Sequence, residues 1–143
     1  MKLIIHRGTH EIGGSCVEIE SSGKRLILDI GLPLDAEDND KKYLPSIRGL
    51  DGSDDSLLAI FISHSHLDHF GLLEHVSKSM PVYMGADARR IIEAASPFYA
   101  GKWPVPSIGG DFKNATPVEL DPFTITPFLV DHAAYDAYAL MID

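Results

Sequence analysis

The stretch LLAIFIS, residues 57–63, constrains the fold of this chain more than any other. It is an uninterrupted apolar run of strand length, which predicts a β-strand buried on both faces. The polar stretch HSHLDH, residues 64–69, follows it directly. Three histidines and one aspartate are therefore expected at one end of a buried strand.

Hydrophobic periodicity predicts further strands and two helices. Tight alternation or short apolar runs indicate strands, and apolar residues three or four apart indicate helices. The turn SSGK, 21–24, predicts a hairpin between its flanking strands. The predicted strands are 3–6, 16–20, 25–31, 57–63, 81–84, 117–120, 123–130 and 137–142; the predicted helices are 70–80 and 86–98; the predicted loops are 32–55, with a helical turn near Tyr43, and 100–114. Alternating strands and helices are typical of a layered α/β domain.

Composition limits the class of protein. A chain of 143 residues has the size of one domain, so residues 1–143 are expected to form a single one. The formal charge of −9 and the lack of any Lys/Arg tract argue against generic electrostatic binding of polyanions. No apolar run has the roughly 20 residues that span a bilayer, and one cysteine allows no internal disulfide, so we expect a cytoplasmic protein with no membrane partner.

The HSHLDH stretch has the chemistry of a metal site. In extended backbone, alternate side chains share a face, so His64 and His66 point to one place. Asp68 and His69 come at the entry to the next helix and can reach a second place nearby. Asp68 can alternatively cap that helix. Imidazole and carboxylate without cysteine are ligands for zinc and neighbouring metals, and they exclude a thiolate zinc knot.

HSHLDH followed by Phe-Gly resembles the signature of the metallo-β-lactamase fold superfamily. The resemblance implies a sandwich of two sheets covered by helices, an αββα arrangement. LILDIG resembles the first motif of the superfamily and gives Asp29 a supporting role in catalysis; VDH, 130–132, resembles the third. His64, His66 and His132 thus resemble the ligands of one metal, and Asp68 and His69 those of a second. Asp68 is also expected to orient the attacking water.

Two stretches resemble the RNA-processing branch that contains ribonuclease J. GTHEIGGSCVEIE, 8–20, is similar to the opening of that branch, and its Gly13 and Gly14 let backbone approach a phosphate or simply make a tight turn. DHAAYDAYA is similar to a His-Ser-x-x-Asp pattern, with Asp136 as the aspartate and Ala133 in place of the serine.

The remaining histidines have no ligand spacing. His6, His10 and His75 are not expected to bind metal, although His10 can lie near the pocket. Trp103 either lines that pocket or anchors its loop on the core.

The superfamily also uses a bridging aspartate and a final histidine that these residues do not supply; Asp143 lacks the expected context. We therefore expect the chain to be the N-terminal portion of a longer protein, truncated within its domain. The alternative is a small variant with a one-metal site or with a second half supplied by a partner. The longer protein is expected to bind two zinc ions, with manganese as an alternative, and this chain about one. An uncovered apolar sheet face is expected to drive homo-oligomerisation or other association.

The resemblance implies hydrolysis by a metal-activated water. RNA-like phosphodiesters are the leading substrates. Two alternatives remain: hydrolysis of small esters, thioesters or lactones at the same site, and metal binding without turnover.

Overall fold

The computed structural model describes residues 1–98 and 108–143. Within these ranges the chain folds into nine strands and two α-helices, joined by short 3₁₀ turns. The elements are β1 Lys2–Arg7, β2 Cys16–Ser21, β3 Lys24–Leu28, β4 Leu57–Phe61, α1 Leu67–Phe70, β5 Val82–Gly85, α2 Ala86–Ala95, β6 Ile108–Phe112, β7 Val118–Leu120, β8 Phe123–Leu129 and β9 Tyr138–Ile142. Trp103 lies outside the described residues.

The strands form two sheets. The first has the order β1-β2-β3-β4-β5-β6, antiparallel from β1 to β3 and parallel from β3 to β6. The second is an antiparallel meander of β7, β8 and β9. The predicted hairpin is confirmed: β2 and β3 pair through a turn whose central residues, Ser22 and Gly23, both have positive φ.

Two apolar clusters flank the first sheet. One lies between the sheets and includes Phe61, which stacks on Tyr83 with ring centroids 4.9 Å apart. The other lies on the outer face, beneath α2 and the loops, and includes Ile60 and Ile62. Since neighbouring residues of the 57–63 run contribute to both clusters, the prediction of a strand buried on both faces is confirmed.

The second sheet covers only part of the first. Leu3 and Ile5 of β1 pair with Ile19 and Val17, and Ile19 lies in the cluster between the sheets. Leu3 and Ile5 are nevertheless 61% and 50% exposed. The edge of the sandwich at β1 therefore presents apolar side chains to solvent.

The prediction of one helix over 70–80 is wrong. The α-helix α1 ends at Phe70, and a single 3₁₀ turn follows at Leu73–His75. Two N–H groups of this segment bond to distant carbonyls instead: Leu72 N–H donates to Ile30, and Ser77 N–H donates to Leu50. The predicted apolar positions are buried all the same, because the segment packs on the outer cluster without helical periodicity.

Other boundaries moved for local reasons. The strand predicted over 25–31 ends at Leu28, where Asp29 takes a positive φ of 58°. The loop predicted over 100–114 contains β6, which pairs with β5. The helical turn near Tyr43 is confirmed as a 3₁₀ turn at Lys41–Tyr43, and the second predicted helix is confirmed as α2.

Candidate metal centre

The candidate site lies at the carboxyl ends of neighbouring parallel strands. Asp29 follows β3, and the segment from Ser63 to His69 follows β4. Because carboxyl ends of parallel strands meet at one edge of a sheet, both segments arrive at the same place. β4 ends at Phe61, so the histidines are carried by a loop with extended backbone and not by the strand itself.

Three histidines converge there. His64, His66 and His132 each offer a ring nitrogen, and these nitrogens all lie within 4.8 Å of one another. The Nε2 atom of His64 and the Nδ1 atom of His66 are 3.2 Å apart. His132 comes from the connection between β8 and β9, and its ring centroid lies 4.6 Å from that of His64.

Ser63 binds both Asp29 and His64, a role that was not predicted from the sequence. Its backbone N–H donates to Oδ1 of Asp29 (2.8 Å), and its hydroxyl donates to Oδ2 (3.0 Å). Since that proton is committed, the hydroxyl accepts from Nδ1 of His64 at 3.0 Å. The sequence feature that could have indicated this role is the position of Ser63 between the buried strand and the first histidine.

Asp29 also orients His69. Oδ2 of Asp29 accepts from Nδ1 of His69 at 2.8 Å, which leaves Nε2 of His69 as a free ligand atom. That Nε2 atom lies 3.5 Å from Oδ2 of Asp68. The second predicted ligand pair therefore comes together, with two members among the described residues. Asp68 does not cap α1; His66 occupies the cap position, without a side-chain hydrogen bond.

The pKa values of His64 and His69 are shifted in opposite directions. Burial, together with the charges of His69 and His66, lowers the pKa of His64 to about 4, so this ring is neutral at pH 7. Burial also acts to lower the pKa of His69, but the hydrogen bond and charge of Asp29 and the charge of Asp68 outweigh it and raise that pKa. His64 thus presents a lone pair without having to lose a proton.

This donor set fits a metal ion. With Nδ1 of His64 protonated toward Ser63, its Nε2 lone pair faces Nδ1 of His66. A metal cation can bind both nitrogens in place of the proton that a hydrogen bond between them requires. Zinc–nitrogen bonds of about 2.0–2.1 Å place two tetrahedral ligands about 3.3 Å apart, close to the observed separation.

Close backbone packing holds the ligand segment against the sheet. Ile30 N–H donates to the carbonyl of His69, and Leu32 N–H donates to that of Leu67. A Cβ atom built on Gly31 would lie 1.7 Å from the carbonyl oxygen of Asp68. Only glycine permits this approach.

The glycine loop packs against Asp68. Gly13 has a φ of 77°, and a Cβ atom on it would lie 2.8 Å from Cβ of Asp68. Ser15 N–H donates to the Asp68 carbonyl at 3.0 Å. Loop 8–14 is therefore a wall beside Asp68, and a cavity of about 400 Å³ lined by His10, Glu11, Ile12, Leu34 and Asp35 lies along it.

The remaining predicted residues lie away from the cluster. His6 binds Glu18, and His75 is half-buried beside Asn39. Asp143 exchanges backbone hydrogen bonds with Thr124. Because β9 runs antiparallel to β8, this places Asp143 at the opposite end of the second sheet from His132.

Comparison with known proteins decides the family. The family model described as "Metallo-beta-lactamase superfamily" matches residues 11–83, which is half of the chain and contains Asp29 and the whole HSHLDH stretch. The chain belongs to the metallo-β-lactamase superfamily. The resemblance drawn from the sequence motifs is confirmed.

Several curated proteins are similar to part of this chain. Transcription termination factor FttA of Methanothermobacter thermautotrophicus is 35% identical over 88 residues. An RNase J-like protein of Methanocaldococcus jannaschii is 35% identical over 71 residues, and cleavage and polyadenylation specificity factor subunit 3-II of Arabidopsis thaliana is 32% identical over 79. These matches cover 59%, 50% and 52% of this chain but only 14%, 14% and 13% of the relatives.

Solved structures share the fold. An Enterococcus faecalis V583 protein of unknown function superposes with a TM-score of 0.82 at 20% identity, over 99% of this chain and 40% of that one. The metallo-β-lactamase fold protein YhfI of Bacillus subtilis gives 0.64 at 19% identity, over 99% and 57%. The predicted fold class is confirmed, and the chain covers part of each of these larger proteins. None of the helices in the described ranges is long and apolar enough to cross a membrane.

Proposed function

We propose that this chain carries the larger part of the active site of a metal-dependent hydrolase acting on RNA-like phosphodiesters. The observation that carries the proposal is the convergence of His64, His66 and His132 beside the Asp68–His69 pair. The relatives named as RNase and as cleavage factor support the substrate class.

His64, His66 and His132 would hold one ion, and Asp68 and His69 would contribute to a second. Zinc suits this set of ligands, and manganese is the alternative. Such ions supply Lewis acidity and lower the pKa of bound water from about 16 toward 7. Asp68 would orient the attacking water. Asp29 would keep His69 in the tautomer that leaves Nε2 available.

The second site has only two predicted ligands among the described residues. A pair of ligands holds an ion less tightly than the three-histidine cluster, so we expect about one tightly bound ion per chain. We also propose that the exposed β1 edge, with Leu3 and Ile5, associates with another copy of the chain or with further polypeptide. Sedimentation of Leu3→Lys/Ile5→Lys beside the unaltered chain tests this: the double variant should be monomeric where the unaltered chain is not.

One observation favours a second candidate, hydrolysis of a small ester, thioester or lactone. The chain has a formal charge of −9, which disfavours a polyanionic substrate. A cavity of about 370 Å³ beside His132, lined partly by Leu129, Val130 and Ala134, has room for a small molecule.

The test measures turnover by the zinc- or manganese-loaded chain of single-stranded RNA, bis-p-nitrophenyl phosphate and a thioester panel. We expect phosphodiester cleavage that His66→Ala abolishes and that chelation removes. Preferred turnover of thioesters would transfer the proposal to the second candidate. Stoichiometric metal binding without any turnover would contradict both hydrolytic functions for this chain, and activity that survives His66→Ala would exclude the metal mechanism.

A further inference from the structure

Asp136 lies four residues after His132 and binds a different part of the fold. Its Oδ2 atom accepts hydrogen bonds from the backbone N–H groups of Asp87 (2.8 Å) and Ala88 (3.0 Å) in the first turn of α2. The negative carboxylate at this end of α2 is also favoured by the helix dipole. The hydroxyl of Tyr138 donates to the same carboxylate; burial, followed by this bond, raises the pKa of Tyr138 to about 12.

Asp136 fits closely against the start of α2. Its φ is 60°, an uncommon backbone conformation for a residue other than glycine. A Cβ atom built on Gly85 would lie 2.2 Å from Oδ2 of Asp136. The absence of a side chain at Gly85 therefore makes space for this carboxylate against the start of α2.

Two backbone hydrogen bonds connect Asp136 to the position of His132. Val130 N–H donates to the carbonyl of Ala137 at 3.0 Å and closes loop 130–137 at its base. Tyr138 N–H donates to the carbonyl of Ser63 at 3.0 Å. Ser63 directly precedes His64, so the end of the loop that carries the third histidine is attached to the segment that carries the first two.

We propose that Asp136 is a positioning residue that sets the location of His132 relative to His64 and His66. The proposal rests on the three-histidine metal site of the proposed function. His132 itself is exposed and belongs to an irregular connection, so the fixed points of its loop are what define its place. Among the described residues, Asp136 supplies the side-chain hydrogen bonds that join this loop to α2.

The test compares the zinc affinity of Asp136→Ala, Asp136→Asn and the unaltered chain by competition with a chromophoric chelator. We expect Asp136→Ala to weaken zinc binding about 10- to 100-fold, the range found when residues supporting metal ligands are lost. The visible spectrum of the cobalt-loaded variant should lose intensity, because a displaced His132 leaves a less tetrahedral site. Asp136→Asn keeps an acceptor for the two N–H groups and should restore most of the affinity.

Asp87→Asn is the matched control. It removes a carboxylate from the same turn of α2, but its side chain pairs with Arg90 and not with loop 130–137. Zinc affinity and the cobalt spectrum should be unchanged in this control. An Asp136→Ala variant that unfolds more easily in urea while keeping zinc affinity and cobalt spectrum would reduce Asp136 to a helix cap and overturn the proposal.

Two further variants distinguish failure of the positioning role from failure of the metal site and from misfolding. If Asp136→Ala does not fold, Tyr138→Phe, which removes only the hydroxyl at Asp136, should still weaken zinc binding by two- to fivefold; unchanged affinity there contradicts positioning through this contact. His66→Ala tests the proposed metal site itself. Zinc affinity that is unaffected by His66→Ala would refute that site, whereas loss in His66→Ala but not in Asp136→Ala would refute only the positioning role.

Discussion

The two segments that supply the histidine cluster are held in different ways. The segment 63–69 is fixed along its length: Asp29 and Ser63 bind its rings from behind, and the backbone at 30–32 bonds to its carbonyls. Loop 130–137 is fixed at its ends, by Asp136, by Tyr138 and by its own closing bond. His64 is 4% exposed, whereas His132 lies in solvent.

Because of this difference, the two segments should respond to different perturbations. Substitutions that disturb the packing of the sheet should displace Asp68, His69 and His64 together, since one packed segment carries them. Substitutions that remove a few polar contacts of loop 130–137 should displace His132 alone. The predictions below ask whether the two segments respond separately.

The largest effect is expected from His66→Ala. Loss of one of three ligands should weaken zinc binding by more than about 100-fold, since even loss of a supporting residue costs 10- to 100-fold. His69→Ala should change the affinity for the tightly bound ion by less than about tenfold, because His69 pairs with Asp68 at the second position. Isothermal titration calorimetry of both variants measures this. Equal losses in the two variants would mean that the two groups of ligands form one site.

Gly31→Ala tests the packed segment. A Cβ atom there would lie 1.7 Å from a backbone oxygen of Asp68, so the variant should lose about 3 kcal/mol of unfolding free energy or fail to fold. Gly23→Ala is the control: its φ is 76° but nothing lies within 4 Å, and backbone strain alone should cost about 1 kcal/mol. Urea unfolding monitored by circular dichroism measures both. Similar losses would show that the close approach at Gly31 is relieved by a small backbone movement.

Asp29→Asn should have a smaller effect. Asparagine tolerates the positive φ of this position and keeps one acceptor for Ser63, but it loses the charge that holds His69. The pKa of His69, now raised, should fall, and binding of a second ion should weaken about tenfold. Nuclear magnetic resonance titration of the metal-free variant reports the pKa. An unchanged His69 titration would show that Asp29 is not the source of the raised value.

The sequence predicted the packed segment better than the loop. The first ligands could be located from consecutive residues, because the apolar run 57–63 is followed directly by a cluster of His and Asp. The DHAAYDAYA stretch singled out Asp136, but its hydrogen-bond partners are 48 and 49 residues away, so its contacts depend on how β5, α2 and β9 meet and could not be predicted from that stretch. The helix predicted over 70–80 was wrong for a related reason: the spacing of its apolar residues was helical, but the N–H groups of Leu72 and Ser77 bond to the distant carbonyls of Ile30 and Leu50.

The smallest signal is expected from the thiol of Cys16, which is fully buried in the outer cluster. Burial, followed by the charges of Asp29 and Glu18, raises its pKa to about 12, so the folded chain should react negligibly with a disulfide reagent at pH 8. Its neighbour Ser15 bonds to the Asp68 carbonyl, which makes the thiol a reporter of the packed segment. Labelling should remain slow in Asp136→Ala, which loosens only loop 130–137, and become fast in Gly31→Ala. Fast labelling in both variants would show that the loop and the packed segment open together and that the distinction between them does not hold.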